Sequence, residues 1–176
     1  MNFIPTEVDG AFLIEIATQA DERGFFARTW CEQEFASRGL MTRVAQASVA
    51  SSAKRGTLRG LHYQEAPHAE DKLVRCTRGG AYVVAVDLRR SSPSYLRWIA
   101  AVLTAENHRQ LYVPRGCAQG YLTLSDNTEL VYQMSEFYQP EAARGVRYDD
   151  PAFRIAWPEA VRVISDADRQ RGDYQP

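Results

Sequence analysis

Cysteine is scarce in this chain, and its placement excludes two common uses. The 176 residues contain three cysteines, Cys31, Cys76 and Cys117, an odd number with wide spacing. They form neither the even set of a disulfide framework nor the closely spaced pair of a zinc site. We therefore expect reduced thiols and a cytoplasmic location.

The chain also lacks an excess of one charge and a long apolar run. Its formal net charge is -1, which gives no electrostatic footprint for nucleic acid or an anionic membrane. No apolar run approaches the roughly 20 residues that span a bilayer. The first ten residues, MNFIPTEVDG, lack the basic and apolar regions of a secretory signal. The sequence thus predicts no nucleic-acid partner and no membrane partner.

Histidine is rare as well, which narrows the chemistry. His62, His68 and His108 are the three histidines, and none is paired as His-x-His or at helical spacing with a glutamate. Metal clusters of the kind found in many β-sandwich enzymes need such ligands. Phosphate-loop, nucleophile-elbow and dinucleotide motifs are absent too. We predict no metal and no cofactor, which leaves acid–base chemistry with His62 as the candidate.

Short β-type runs dominate the chain. They are AFLIEI (11–16), LVRCT (73–77), AYVVAVDL (81–88), LRWIAAVL (96–103), QLYV (110–113), GYLTL (120–124) and TELVYQMSEFY (128–138). Residues 18–29 are interpreted as a loop, residues 30–39 as containing one short helix, and the tail after Ser165 as one helical turn. Many short strands without intervening helices indicate an all-β sandwich or barrel. We predict one domain over residues 1–176, with a pocket between its sheets.

The segment from Arg55 to Val74 concentrates the candidate functional groups. Strand alternation puts Arg59 on one face and His62 on the other, and Lys72 follows a loop that carries Pro67. A guanidinium, an imidazole and an ammonium close together suit an anionic substrate with an ionisable intermediate. The alternative is a half-solvated strand whose histidine has no catalytic role.

Several blocks in the same order resemble the dTDP-4-dehydrorhamnose 3,5-epimerase family over nearly the whole chain. They are DERGFF (21–26), LRGLHYQ (58–64), KLV (72–74), VDLRRSSPSY (86–95), AEN (105–107), VPRGCAQGYL (113–122), RGVRYDDP (144–151) and SDAD (165–168). The resemblance implies a jelly-roll (cupin-like) fold and epimerisation of a nucleotide-linked 4-keto-6-deoxy sugar in deoxysugar biosynthesis. It also implies a homodimer that exchanges N-terminal strands.

The resemblance assigns four catalytic roles. His62 matches the base that removes a proton next to the C4 ketone, and Asp168 matches the carboxylate that orients its imidazole. Tyr132 matches the acid on the other face of the sugar, and Lys72 the cation beside the C4 oxygen. Two simpler readings remain: Asp168 completes a capping box begun by Ser165, and Lys72 is a solvated strand end.

Substrate binding is also implied by the resemblance. Arg59 and Arg23 match arginines that grip the diphosphate, Arg23 in the neighbouring subunit's site, and Tyr138 matches the residue that stacks on the nucleotide base. Arg23 has the alternative of capping a surface turn.

Four positions depart from the family pattern. Gln119 stands where the family has histidine, Arg28 replaces a glutamate, and Ala143 falls where another glutamate is expected. The family's Gln-x-Asn-x-Ser run aligns with residues 47–51, which leaves only Ser51 matching; a one-residue shift recovers Gln46.

These departures keep three alternatives open. One is an epimerase that inverts only C3 or only C5, on dTDP or on another nucleotide. Another is a non-catalytic sugar-nucleotide-binding protein, and the third is a ketoisomerase on the same fold. Among them we favour the epimerase, because His62 and Tyr132 are both present.

Overall fold

Two antiparallel sheets pack face to face in the computed structural model, which describes residues 1–175. The first sheet has the order β1-β2-β10-β7-β12-β5 and the second the order β13-β6-β11-β8-β9, while β3 and β4 form a separate hairpin. The strands of the first sheet are β1 (Asn2–Pro5), β2 (Phe12–Glu15), β5 (Gln46–Ser52), β7 (Lys72–Arg78), β10 (Gln110–Val113) and β12 (Thr128–Met134). Those of the second are β6 (Leu58–Gln64), β8 (Gly80–Asp87), β9 (Trp98–Thr104), β11 (Cys117–Thr123) and β13 (Ala143–Gly145). The hairpin comprises β3 (Thr18–Asp21) and β4 (Gly24–Ala27), and the helices are α1 (Glu32–Ala36) and α2 (Asp166–Arg169).

The main core lies between the two sheets. Inward-facing side chains such as Val74, Leu111 and Leu130 of the first sheet meet Val83 and Tyr121 of the second, all at most 2% exposed. Alternate residues of each strand point to this layer, as a sandwich requires. The predicted all-β fold with a few short helices is confirmed.

Polar segments are where the sequence-based prediction missed strands. Residues 18–29 form the β3–β4 hairpin and not a loop, and β1, β5 and β13 were not predicted. The β3–β4 hairpin is almost wholly exposed, so no buried face imposes an apolar alternation on it. The predicted strand at 128–138 ends at Met134. No helix within residues 1–175 has the length and apolarity needed to cross a membrane.

The last residue of β8, Asp87, is a buried carboxylate. Asp87 is 0% exposed and accepts hydrogen bonds from Arg89 Nε (2.8 Å), Ser94 Oγ (2.6 Å) and Ser92 Oγ (2.5 Å). Burial raises the pKa of this carboxyl, but the hydrogen bonds outweigh it and lower the pKa to about 2. The carboxylate therefore contributes to stability only while it is ionised.

The stability of the chain should depend on pH through Asp87. Since its folded pKa lies below the ordinary 3.8, its contribution of about 2 kcal/mol is present above pH 4 and is lost as the pH falls towards 2. Asp87→Asn cannot titrate, so the difference in free energy of unfolding between wild type and variant should narrow by about 2 kcal/mol from pH 6 to pH 2. Urea denaturation at a series of pH values measures it, and a difference that stays constant would contradict the assignment.

Candidate active site

A cavity of about 720 Å³ opens between the two sheets and carries the candidate residues. Its polar lining comes from both sheets and from the C-terminal segment: Gln46, Ser48, Thr57, Arg59, His62, Tyr63, Gln64, Glu70, Lys72, Gln119, Tyr121, Tyr132, Tyr138, Arg144, Ser165, Asp168 and Arg171. A larger groove of about 980 Å³ lies along β9 and the β1–β2 edge, but no histidine lines it. Acid–base chemistry therefore belongs to the smaller cavity.

A β-bulge in β6 brings Arg59 and His62 to the same wall. Gln119 of β11 pairs with His62, but Tyr121, two residues on, pairs with Arg59, three residues back. The extra residue reverses the alternation. Gly60 has φ +107°, and a Cβ there would lie 2.8 Å from the Gln119 carbonyl oxygen, so glycine is required at the bulge. The predicted placement of Arg59 and His62 on opposite faces is wrong for this reason.

His62 and Asp168 form a hydrogen-bonded dyad. The distance from His62 Nε2 to Asp168 Oδ1 is 2.6 Å, and Asp168 Oδ2 accepts from the Gly60 amide at 3.2 Å. Because the carboxylate bonds Nε2, the hydrogen-bond network assigns the proton of the neutral imidazole to Nε2 and leaves the lone pair on Nδ1. A carboxylate thus orients the imidazole, an arrangement that resembles the His–Asp pair of a catalytic triad.

Asp168 reaches the cavity from the short helix α2. Ser165 is the N-cap, and its Oγ accepts from the Asp168 amide at 3.1 Å, so the capping interpretation is also correct for the backbone. Burial raises the pKa of the Asp168 carboxyl, but the bonds from His62 and the Gly60 amide outweigh it and lower the pKa to about 2. The carboxylate is consequently ionised throughout the neutral range.

Tyr132 enters the cavity from the opposite sheet. It lies on β12, where it pairs with Ser48 of β5 and Val74 of β7. Burial raises the pKa of its phenol well above the ordinary 10, and the neighbouring Gln119 amide opposes the rise only in part. Tyr132 therefore holds its proton at neutral pH, as a general acid must.

Lys72 is a buried cation beneath the dyad. It is 9% exposed, its Nζ donates to the His62 carbonyl oxygen at 3.1 Å, and it forms an ion pair with Glu70 at 3.1 Å. The alternative of a solvated strand end is excluded by this burial. Gln64 Nε2 lies 3.3 Å from the other Glu70 oxygen and so fixes the pair.

Two residues mark the rim of the cavity. Arg59 is exposed and is held by Ser52 Oγ (3.4 Å) and the Ser51 carbonyl oxygen (3.1 Å). Tyr138 is 61% exposed, and its amide donates to Gln46 Oε1 at 2.5 Å. A guanidinium and an exposed aromatic ring at the mouth of a cavity suit an anionic ligand with a planar group.

Comparison with known proteins identifies the family. The family model described as dTDP-4-dehydrorhamnose 3,5-epimerase matches residues 5–175. The chain belongs to this family. The dTDP-4-dehydrorhamnose 3,5-epimerase of Shigella flexneri is 41% identical over 169 residues, which are 96% of this chain and 93% of that one. The predicted family and the predicted class of enzyme, an isomerase, are thereby confirmed.

Solved structures agree in fold. The enzyme of the same name from Bacillus anthracis, with TDP and PPi bound, superposes with a TM-score of 0.94 at 37% identity and covers 98% of this chain and 99% of that one. A 3'-monoepimerase from Streptomyces bikiniensis in complex with dTDP-quinovose has a TM-score of 0.85 at 36% identity, with 93% and 83% covered. The jelly-roll (cupin-like) fold predicted for a member of this epimerase family is confirmed.

The structure gathers seven of the ten predicted site residues in one cavity and leaves three outside it. His62, Asp168, Tyr132, Lys72, Arg59, Gln119 and Tyr138 line it. Arg23 lies in the exposed β3–β4 turn, where it pairs with Asp21, and Arg28 pairs with Glu34 at 3.3 Å. Within a single chain, the Arg23–Asp21 pair fits the alternative interpretation, in which Arg23 caps a surface turn. Arg28 does not enter the cavity of its own chain.

Ser51 faces away from the cavity, which corrects the register of β5. Gln46, Ser48 and Ala50 line the cavity, so Ala47, Val49 and Ser51 project from the other face. Val49 is 61% exposed. This register agrees with the one-residue shift considered from the sequence, which puts Gln46 at the family's glutamine position.

The polar lining residues that were not predicted include Ser48, Glu70, Arg144 and Arg171. The signal for Ser48 was the alternation of a small-residue strand once its register is known. Arg171 follows a four-residue helix and carries no periodic pattern, so only the fold reveals it. Within the described part of the chain, no group of three or more His, Cys, Asp or Glu side chains is arranged to hold a metal ion.

Proposed function

We propose that this chain epimerises a dTDP-linked 4-keto-6-deoxy sugar by proton abstraction next to the ketone. The observation that carries the proposal is a carboxylate-held imidazole and a protonated, partly buried phenol that enter one cavity from two opposing sheets. Membership of the epimerase family supports the substrate class.

The mechanism begins at His62. The hydrogens on C3 and C5 of a 4-keto sugar are acidic because the ketone stabilises the carbanion as an enolate. Nδ1 of His62 takes one of them, and Asp168 stabilises the imidazolium that results. The Lys72 ammonium supplies positive charge for the oxygen at C4, where negative charge develops.

Tyr132 completes the inversion. Its phenol donates a proton to the face of the enolate opposite His62. Before the next turnover the phenolate takes a proton from solvent, and the His62 imidazolium releases to solvent the proton that it removed. Gln119 lines the same cavity, and its Nε2 donates to the Gly120 carbonyl oxygen at 3.2 Å. The ketone persists in the product, which distinguishes this reaction from a ketoisomerase.

Arg59 and Tyr138 bind the nucleotide end of the substrate in this proposal. Their position at the mouth leaves the diphosphate partly in solvent, where a guanidinium fork suits phosphate oxygens. Arg23 would join them from a second copy of the chain, since its hairpin is exposed and carries Phe26 at 76% exposure. The proposal therefore includes a homodimer.

A mono-epimerase is the second candidate. Gln119 lies in register with His62 where the family resemblance leads us to expect a histidine, and an amide cannot titrate. The similarity to a 3'-monoepimerase at 36% identity supports the same alternative. The enzyme would then exchange the proton on one carbon, C3 or C5, and not on both.

Deuterium incorporation distinguishes these functions. The full chain is incubated with dTDP-4-keto-6-deoxyglucose in deuterated water, and the sugar is followed by NMR. Deuterium at C3 and C5 with inversion at both identifies a double epimerase, and deuterium at one carbon a mono-epimerase. A 3-keto product would identify a ketoisomerase. No incorporation by a folded protein, with CDP- and GDP-linked 4-keto sugars also inert, would contradict epimerase activity.

A further inference from the structure

Arg171 lies next to the carboxylate of the dyad. Its Nε lies 3.6 Å from Asp168 Oδ1, the same oxygen that bonds His62 Nε2 at 2.6 Å. The Arg171 side chain is 29% exposed, and its Nε atom is buried with no hydrogen-bond partner. A buried donor in this position acts on the carboxylate by charge, and not through a hydrogen bond of ordinary length.

The backbone is shaped to admit this guanidinium. A Cβ on Gly145, which pairs with His62 across β13 and β6, would collide with Nε and Cζ of Arg171. The guanidinium therefore lies directly on the β13 backbone, adjacent to the strand that carries the base. This close approach holds Arg171 in one position despite its location after a short helix.

We propose that Arg171 is a positioning residue that sets the proton affinity of His62 through the shared Asp168 carboxylate. This inference rests on the proposed function, in which His62 is the base. The positive charge of Arg171 offsets part of the negative charge that Asp168 presents to the imidazole. The imidazolium is thereby less stabilised than in an isolated His–Asp pair, and free base is available at lower pH.

Other groups around the dyad define the electrostatic background. They are Arg59 and Lys72 on β6 and β7, Arg144 on β13, Gln119 and Tyr132 on β11 and β12, and beside them Glu70, Tyr63 and the Ser165 hydroxyl. Asp166 and Arg169 of α2 are exposed and do not line the cavity. Lys72 is paired with Glu70, and Arg144 with Glu65 at 2.9 Å. Arg171 is the cation that shares the dyad's own carboxylate oxygen.

Arg171→Gln tests the proposal by two readouts. Removing the cation should move the titration midpoint of the His62 imidazole, followed by NMR in the full chain, to higher pH by about 0.5–1 unit. The acid limb of the pH profile of deuterium exchange should move the same way. Arg171→Lys, which keeps the charge, should keep the titration midpoint and the acid limb close to their wild-type positions. Arg169→Gln removes an exposed arginine from the same helix and should leave both readouts unchanged.

The outcomes separate this inference from the proposed function. An unchanged His62 midpoint in Arg171→Gln, or an equal shift in Arg169→Gln, would overturn the role of Arg171. If the wild type catalyses no exchange, the proposed function fails, while the NMR titration still decides on Arg171. Should Arg171→Gln not fold, Arg171→Met keeps the apolar stem over Gly145 and replaces it in both measurements.

Discussion

His62→Ala should reduce deuterium exchange at the sugar by about 10²–10⁴-fold, because it removes the one histidine among the residues that line the cavity. The imidazole bonds Asp168 at 2.6 Å, and the resulting orientation is what makes Nδ1 available for the substrate. The Lys72 ammonium is paired with Glu70, and the Arg59 guanidinium has no acceptor atom, so neither can replace it. Incorporation of deuterium into the substrate, measured by NMR over time, gives the rate directly.

The variant should remain folded. The His62 side chain is 44% exposed, so its removal leaves no large cavity, and the Gly60 amide continues to bond Asp168. Circular dichroism and thermal unfolding check this. His68→Ala is the matched control, since His68 bonds Gln64 only through its backbone carbonyl oxygen and does not line the cavity. Exchange at the wild-type rate in His62→Ala would remove His62 from the mechanism, and unfolding would assign it a structural role.

Tyr132→Phe should lower turnover to the epimerised product by about 10²–10⁴-fold while exchange catalysed by His62 is retained in part. Deprotonation does not need the phenol, but delivery of a proton to the opposite face does. Burial raises the pKa of Tyr132 and keeps the proton available across the neutral range. The ratio of deuterium in recovered substrate to deuterium in product should therefore rise, and one NMR time course measures both.

Tyr82→Phe is the matched control for Tyr132→Phe. Tyr82 lies on β8, lines the separate groove along β9, and packs against Trp157. Its loss of a hydroxyl should leave turnover and the deuterium ratio unchanged. Full epimerase activity in Tyr132→Phe would show that another group supplies the proton.

The sequence predicts most of the sandwich because its core strands obey simple periodicity. β8 and β10 are buried along nearly their whole length and read as continuous apolar runs. By contrast, β3 is fully exposed and β5 is built of small and polar residues, so neither carries an apolar signature. Pairing with neighbouring strands, which a single sequence does not display, makes these segments β.

Register is the second quantity that periodicity alone did not provide. The bulge at Gly60 inserts a residue and so joins Arg59 and His62 on one wall, although their spacing of three predicts opposite faces. In β5 a shift by one residue exchanges Ser51 for Ala50 at the cavity. The chemistry of the site was predicted from residue types in family blocks, but which neighbours each side chain meets depended on strand pairing.

The dyad joins residues 106 positions apart in the chain, so its formation depends on the packing of the short helix α2 against β6. We therefore expect activity to depend on this local contact as well as on the overall fold. Asp168 is held by a four-residue helix that contacts the sandwich mainly through β6. Local opening of so short an element requires far less free energy than unfolding the sheets. The base would then lose its carboxylate while both sheets stay intact. Loss of activity on mild warming or in dilute denaturant should thus precede the cooperative unfolding of the β-sandwich, with amide exchange in residues 165–169 as its earliest sign.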